Sequence, residues 1–186
     1  MIDQLLLWQD HFVPGPALDI GAGNGEISLW LAMHGFAVDA LEPDQQQAEI
    51  LLSRFATYPI QLHILDVFDF FLPSDQYALI IASAVLHFIK REQLQPLAER
   101  IINSLIPGGM LFAAALTTDD PAYQKAQAPD ATHVHHFFGC GELRRLFWPL
   151  DVVVYEESRR SAPESMYGYR SGATLIARQP PASQAT

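Results

Sequence analysis

Cysteine is almost absent, since Cys140 is the only one in 186 residues. One thiol makes neither an intrachain disulfide nor a multi-thiolate zinc site, and a secreted domain usually carries more, so a reducing cytoplasm is the expected compartment. Positive charge is scarce too: 11 Lys and Arg stand against 21 Asp and Glu, for a net charge of −10. Such a chain repels phosphate backbones, which argues against nucleic acid and anionic membranes as partners. Long hydrophobic runs are also missing. Leu5-Leu6-Leu7-Trp8 is flanked by Asp3 and Asp10 with no basic residue before it, unlike a signal peptide, and no stretch approaches the roughly 18 to 20 uncharged apolar residues of a membrane span. With only 13 Pro and 11 Gly but 49% hydrophobic residues, a disordered or collagen-like chain is excluded as well.

What is present suits one soluble globular domain. A chain of this size buries roughly 70% of the surface its unfolded form exposes, enough for a core without covalent staples. The domain is expected over residues 1–178, with 179–186 (QPPASQAT) as a polar, Pro-rich tail. Short apolar runs alternate with helical spacing and no internal repeat is found. Strands are expected at 17–20, 36–41, 60–65, 77–82, 110–116, 152–155 and 173–177. Helices are expected from Ile27 to a glycine cap at Gly35, over a face formed by Ala48, Leu51, Leu52 and Phe55, over 91–105, and at 141–147. The YALIIA run at 77–82 reads as a strand covered on both faces. The order predicts a doubly wound α/β sheet, whose ligands bind beyond the carboxyl ends of its strands.

The first such end reads Asp19-Ile20-Gly21-Ala22-Gly23-Asn24-Gly25. A dinucleotide fingerprint needs its third glycine one position later, where this chain has Glu26, whose carboxylate repels a phosphate at a helix start. The loop therefore suits a ligand that approaches the backbone closely without phosphate, such as S-adenosylmethionine. Asp19 can help to hold its ammonium group, while Gly21, Gly23 and Gly25 let the chain pass the methionine moiety. The plainer alternative is a tight strand-to-helix turn. Glu42 at the end of strand two can accept from both ribose hydroxyls, and Asp66 with Val67 after strand three can hold and flank an adenine. Either acid alone is compatible with a solvated loop or a helix cap. A nicotinamide oxidoreductase would need the missing glycine, and a cofactor-binding module without an acceptor remains a second alternative.

With these residues the chain resembles the class I S-adenosylmethionine-dependent methyltransferases over 17–178, through DIGAGNG, Glu42, Asp66, YALIIASAVLHF and the PGG turn. Within them it is most similar to the TehB-type tellurite-resistance methyltransferases, in ALDIGAGNGEISLWLA, GFAVDALEPD, GELRR at 141–145 and ATLIAR at 173–178. The resemblance implies a mostly parallel seven-stranded sheet with an antiparallel last strand, S-adenosylmethionine as cofactor, Ala82 among the cofactor-binding positions, and a small-molecule acceptor such as tellurite or selenite. Three features depart from the pattern: Ala78 stands where an aspartate usually opens strand four, the 156–172 segment is short, and the usual His-Arg pair there corresponds loosely to Arg159-Arg160.

Methyl transfer from a sulfonium requires a nucleophile held in line away from water; positive charge helps an oxyanion, and a base helps a phenol or amine. His87, after strand four, is a candidate base or a half-buried helix cap. His133, His135 and His136 precede Phe137-Phe138. The histidines at 133 and 135 could chelate a metal if extended, but a loop closing over the pocket is favoured and no metal is expected. Arg144-Arg145 and Arg159-Arg160 are the paired cations. Surface salt bridging is their bland role. The sharper expectation sets Arg145 and Arg160 on the oxyanion, with His136 lining the approach.

Overall fold

Pro16–Ile20 forms β1, which pairs with parallel partners on both edges and is buried because Leu18 and Ile20 enter the core on one face and Ala17 the core on the other. The computed structural model describes residues 2–55, 57–123, 135–163, 165 and 168–181. The remaining elements are α1 (Ile2–Trp8), α2 (Glu26–Met33), β2 (Ala37–Leu41), α3 (Gln45–Phe55), β3 (Ile60–His63), β4 (Tyr77–Ser83), α4 (Arg91–Ser104), β5 (Leu105–Leu116), α5 (Glu142–Leu146), β6 (Asp151–Ser161) and β7 (Tyr169–Arg178). A 3-10 turn, Leu86–Phe88, follows β4.

The seven strands make one sheet in the order β3-β2-β1-β4-β5-β7-β6, parallel except for β7, which runs antiparallel to both β5 and β6. The expected seven-stranded, mostly parallel sheet with an antiparallel last strand is therefore the fold. Strand order reverses between β1 and β4, so loops after these strands open at one crevice. The unbroken apolar run of β4 has a physical reason. Ile80 and Ala82 point to the core under α4 and α5, whereas Leu79 and Ile81 point to the core under α1, α2 and α3.

Several boundaries differ from those expected. Leu52 is 53% exposed while Ala48, Leu51 and Phe55 of the same helix are buried, so the apolar face of α3 is narrower than the spacing suggested. Leu105 begins β5 rather than ending α4. It pairs with Tyr77, and Met110 pairs with Leu79, so the Pro107-Gly108-Gly109 segment is an irregular entry inside the strand. Gln179, assigned to the tail, exchanges backbone hydrogen bonds with this entry: Gly108 N–H donates to its carbonyl at 3.0 Å, and its own N–H donates to the Gly109 carbonyl at 2.8 Å. Residues 182–186 lie outside the described residues.

Candidate functional site

The chain leaves β1 through the glycine loop, where the N–H groups of Gly21 and Ala22 both donate to the Leu41 carbonyl at 2.9 Å. The loop glycines serve different ends. At Gly25, which opens α2 with φ +78°, a Cβ would lie 2.7 Å from Leu51 Cγ, so protein packing fills that space. At Gly23, with φ +55°, a Cβ would meet nothing within 4 Å. The loop is thus open on its outer side at Gly23, where a ligand can lie against the backbone.

Two acids brace this opening. Glu42 is 7% exposed and accepts hydrogen bonds from Gly23 N–H on Oε2 at 2.7 Å and from Asp44 N–H on Oε1 at 2.8 Å. The carboxylate thereby ties the glycine loop to the end of β2, and each oxygen keeps a lone pair for a further donor. Asp19 is 1% exposed and accepts from Ser28 Oγ–H at 2.6 Å. Burial pushes its carboxyl up to about 6, against the Ser28 hydrogen bond, with the Glu42 charge adding to the rise. Asp66 is exposed, and its carboxylate accepts from Phe68 N–H at 2.9 Å, forming a turn after β3. Val67 and Ala82 are buried in the core beneath.

On the far side of β4 the sheet ends in a cavity of about 390 Å³ lined by His87, Leu116, Arg160, Arg170 and Thr174, among others. Arg160 and Arg170 stand directly opposite each other on β6 and β7. Like charges so placed repel, and anionic groups nearby relieve the repulsion. One such group is Asp120, whose Oδ1 lies 3.1 Å from Arg170 Nη1. Arg160 Nη2 lies 3.4 Å from Thr174 Oγ1. His87 is buried and its Nδ1 has no hydrogen-bond partner among the described residues. Burial, then the Arg170 charge, lower its pKa to about 4, although Asp120 opposes the shift, so the imidazole is neutral at physiological pH.

The other candidates are placed differently. His136 Nε2 lies 3.0 Å from Glu142 Oε1, and the backbone N–H groups of His135 and His136 donate to the His87 carbonyl. Phe137 and Phe138 are buried, which anchors the chain leading to α5. His133 lies outside the described residues, and among these no group of three His, Cys, Asp or Glu is arranged to hold a metal.

Arg145 does not join Arg160. It lines a separate groove of about 630 Å³ with Arg144 and Trp148, and its charge helps to hold the Glu157 carboxyl below its ordinary value, after hydrogen bonds from Tyr155 and Gly141. The reason lies in strand alternation. Glu157 shares a face of β6 with Tyr155, which packs on the α4 and α5 side, and Arg160, three residues on, projects to the other face. Sequence reasoning missed Arg170 and Asp120. Only the β6–β7 register and the turn after β5 bring them to the cavity.

Comparison with known proteins agrees with this architecture. The family model described as tellurite resistance protein TehB matches residues 9–161. An uncharacterized methyltransferase of Mycobacterium tuberculosis is 27% identical over 129 residues, or 69% of this chain, and the chain spans 61% of that relative's length. Among solved structures, TehB from Haemophilus influenzae superimposes with a TM-score of 0.74 at 20% identity, covering 96% of this chain and 60% of that one. An S-adenosylmethionine-dependent methyltransferase from Methanosarcina mazei gives 0.76 at 15% identity, covering 94% and 97%. Since the family model takes in most of the chain, glycine loop and GELRR helix included, the chain belongs to the TehB family.

Proposed function

We propose that this chain is an S-adenosylmethionine-dependent methyltransferase acting on a small molecule in a cytoplasmic setting. The observation that carries the reading is the open outer side of Gly23 in a loop whose neighbouring Gly25 is closed by protein packing. A cofactor laid there would have the Asp19 carboxylate near its ammonium end, Gly23 along its methionine moiety and the spare lone pairs of Glu42 for its ribose, while Gly21 and Gly25 shape the loop by packing against Val85 and against Leu51 and Phe55. Asp66 would take the adenine amino group, with Val67 and Ala82 as the apolar floor. When bound, the cofactor supplies an electrophilic methyl group on a sulfonium.

The acceptor is assigned to the cavity beside His87. Arg160 and Arg170 orient an anionic group there, and neutral His87 stands in the wall beside it. The finer reading is a chalcogen oxyanion, tellurite or selenite, supported by the two arginines and by the family's description. His136 supports the approach by fixing the chain beside His87, and Arg145 is left a structural part at α5. A second reading, a thiol or phenol of a small metabolite, is favoured by the cavity volume of about 390 Å³, which is in the range of sites for organic ligands. The test is methyl-labelled cofactor incubated with tellurite, selenite, a thiol and a phenol, with products identified by gas chromatography and mass spectrometry. A labelled methyl chalcogenide, lost in Arg160→Ala, is the expected result. A labelled thioether or aryl ether instead supports the second reading, and transfer to none of the panel by protein that binds S-adenosylhomocysteine points to a silent binding module.

A further inference from the structure

Asp120 follows β5 in a turn where its own N–H donates to the Thr117 carbonyl and its carbonyl accepts from Tyr123 N–H, both at 2.9 Å. Its side chain is 0% exposed and fully engaged. Oδ2 accepts from Ser171 N–H at 2.8 Å, while Oδ1 accepts from Ala122 N–H at 2.9 Å and from Arg170 Nη1–H at 3.1 Å. A buried carboxylate is costly, and two amides with one guanidinium compensate for it. Arg170 itself is 47% exposed and would otherwise be free to turn into solvent, away from the like charge of Arg160 across the strand pair.

We infer that Asp120 is a positioning and specificity-determining residue of the acceptor site, holding Arg170 against Arg160 and leaving the cavity with one net positive charge, so that it selects an acceptor bearing a single negative charge. The charge arithmetic is short: two arginines less one carboxylate, with His87 neutral, leave one. The inference rests on the reading of this cavity as the acceptor site. It does not depend on which monoanion is the natural acceptor. Retention of Arg170 at the cavity wall would give the bound anion two planar donor sets, where a solvent-facing Arg170 would leave it one.

Two inorganic oxyanions, both hydrogen-bond acceptors but of different charge, test it: nitrate and sulfate at fixed ionic strength, titrated into full-length protein with S-adenosylhomocysteine present. Binding is followed through the His87 imidazole resonances. The wild type is expected to bind nitrate in preference to sulfate, Asp120→Asn to shift that preference toward sulfate by about tenfold, and Arg170→Gln to weaken both anions by about tenfold while Arg170→Lys restores part of the loss. Arg170→Gln is also expected to raise the His87 midpoint part of the way from near 4 toward its ordinary range, burial holding the rest, while Arg170→Lys keeps it low because the charge remains. An unchanged anion preference in folded Asp120→Asn overturns the inference and leaves the cavity reading in place. Should that variant not fold, wild-type affinities for both anions in Arg170→Gln overturn it equally. A wild type that binds S-adenosylhomocysteine but answers to neither anion removes the acceptor reading, and the inference with it.

Discussion

Glu42 braces Gly23 and Asp44 on one carboxylate, and in the proposed cofactor site its spare lone pairs meet the ribose. Replacing it by alanine is therefore expected to weaken S-adenosylhomocysteine binding by about 1 to 3 kcal/mol, because charged acceptors of buried hydroxyls are lost. Calorimetric titration checks this, and an unchanged affinity would assign the ribose to another residue. At this scale the positions of the proposed cofactor residues were legible, since the glycine loop, Glu42 and Asp66 follow strands that apolar patterning reveals and Asp19 lies near the end of β1. The acceptor side was not. Arg170 lies at the start of β7 between Tyr169 and Ser171, and Asp120 is fifty positions away with nothing local to mark it as a partner of Arg170 or of the Ser171 amide. His87 was visible as a histidine, but its solitary nitrogen exists only through burial.

Among the elements, the entry to β5 makes the sharpest demand on sequence. A Cβ on Gly109 would lie 2.9 Å from the carbonyl oxygens of both Ile106 and Tyr77, and backbone atoms there cannot yield cheaply. Gly109→Val is expected to lower stability by about 1 to 3 kcal/mol, as overpacking does, with S-adenosylhomocysteine affinity retained because the glycine loop is untouched. Urea unfolding and calorimetry read the two halves of that expectation. The same entry shows where patterning fell short: a Pro-Gly-Gly segment signals a turn, yet Leu105 ahead of it already pairs with Tyr77. The last hairpin was underestimated for another reason. β6 is an edge strand running to Ser161, and its Glu156–Ser161 half is largely solvent-facing, so no apolar alternation marks it. That unread half carries Arg160, which is why the sequence paired it with Arg145.

For the molecule as a whole, two buried groups bend stability with pH in opposite directions. Asp19, raised to about 6, keeps a proton in the folded state that the unfolded chain releases near 4, so it lowers stability as pH rises through that window. His87, lowered to about 4, stays neutral when folded while the unfolded chain binds a proton below about 6.5, so its contribution is full above that pH and is lost as pH falls. Denaturation of the ligand-free protein across pH 4 to 7 is expected to show Asp19→Asn gaining on the wild type as pH rises and His87→Gln losing to it. Parallel curves for wild type and both variants would remove these groups from the pH response. The doubly wound class was legible because β4 is apolar on both faces and so needs a core on each side. That the last strand is antiparallel came from the family resemblance, and its place between β5 and β6 emerges only in the structure. The most direct measurement of the central claim is calorimetric titration of S-adenosylhomocysteine into wild type and Gly23→Val. One site per chain in the wild type and no binding to a folded variant is the expected result, since a branched side chain would fill the open side of the loop. Binding to folded Gly23→Val with wild-type affinity would contradict it.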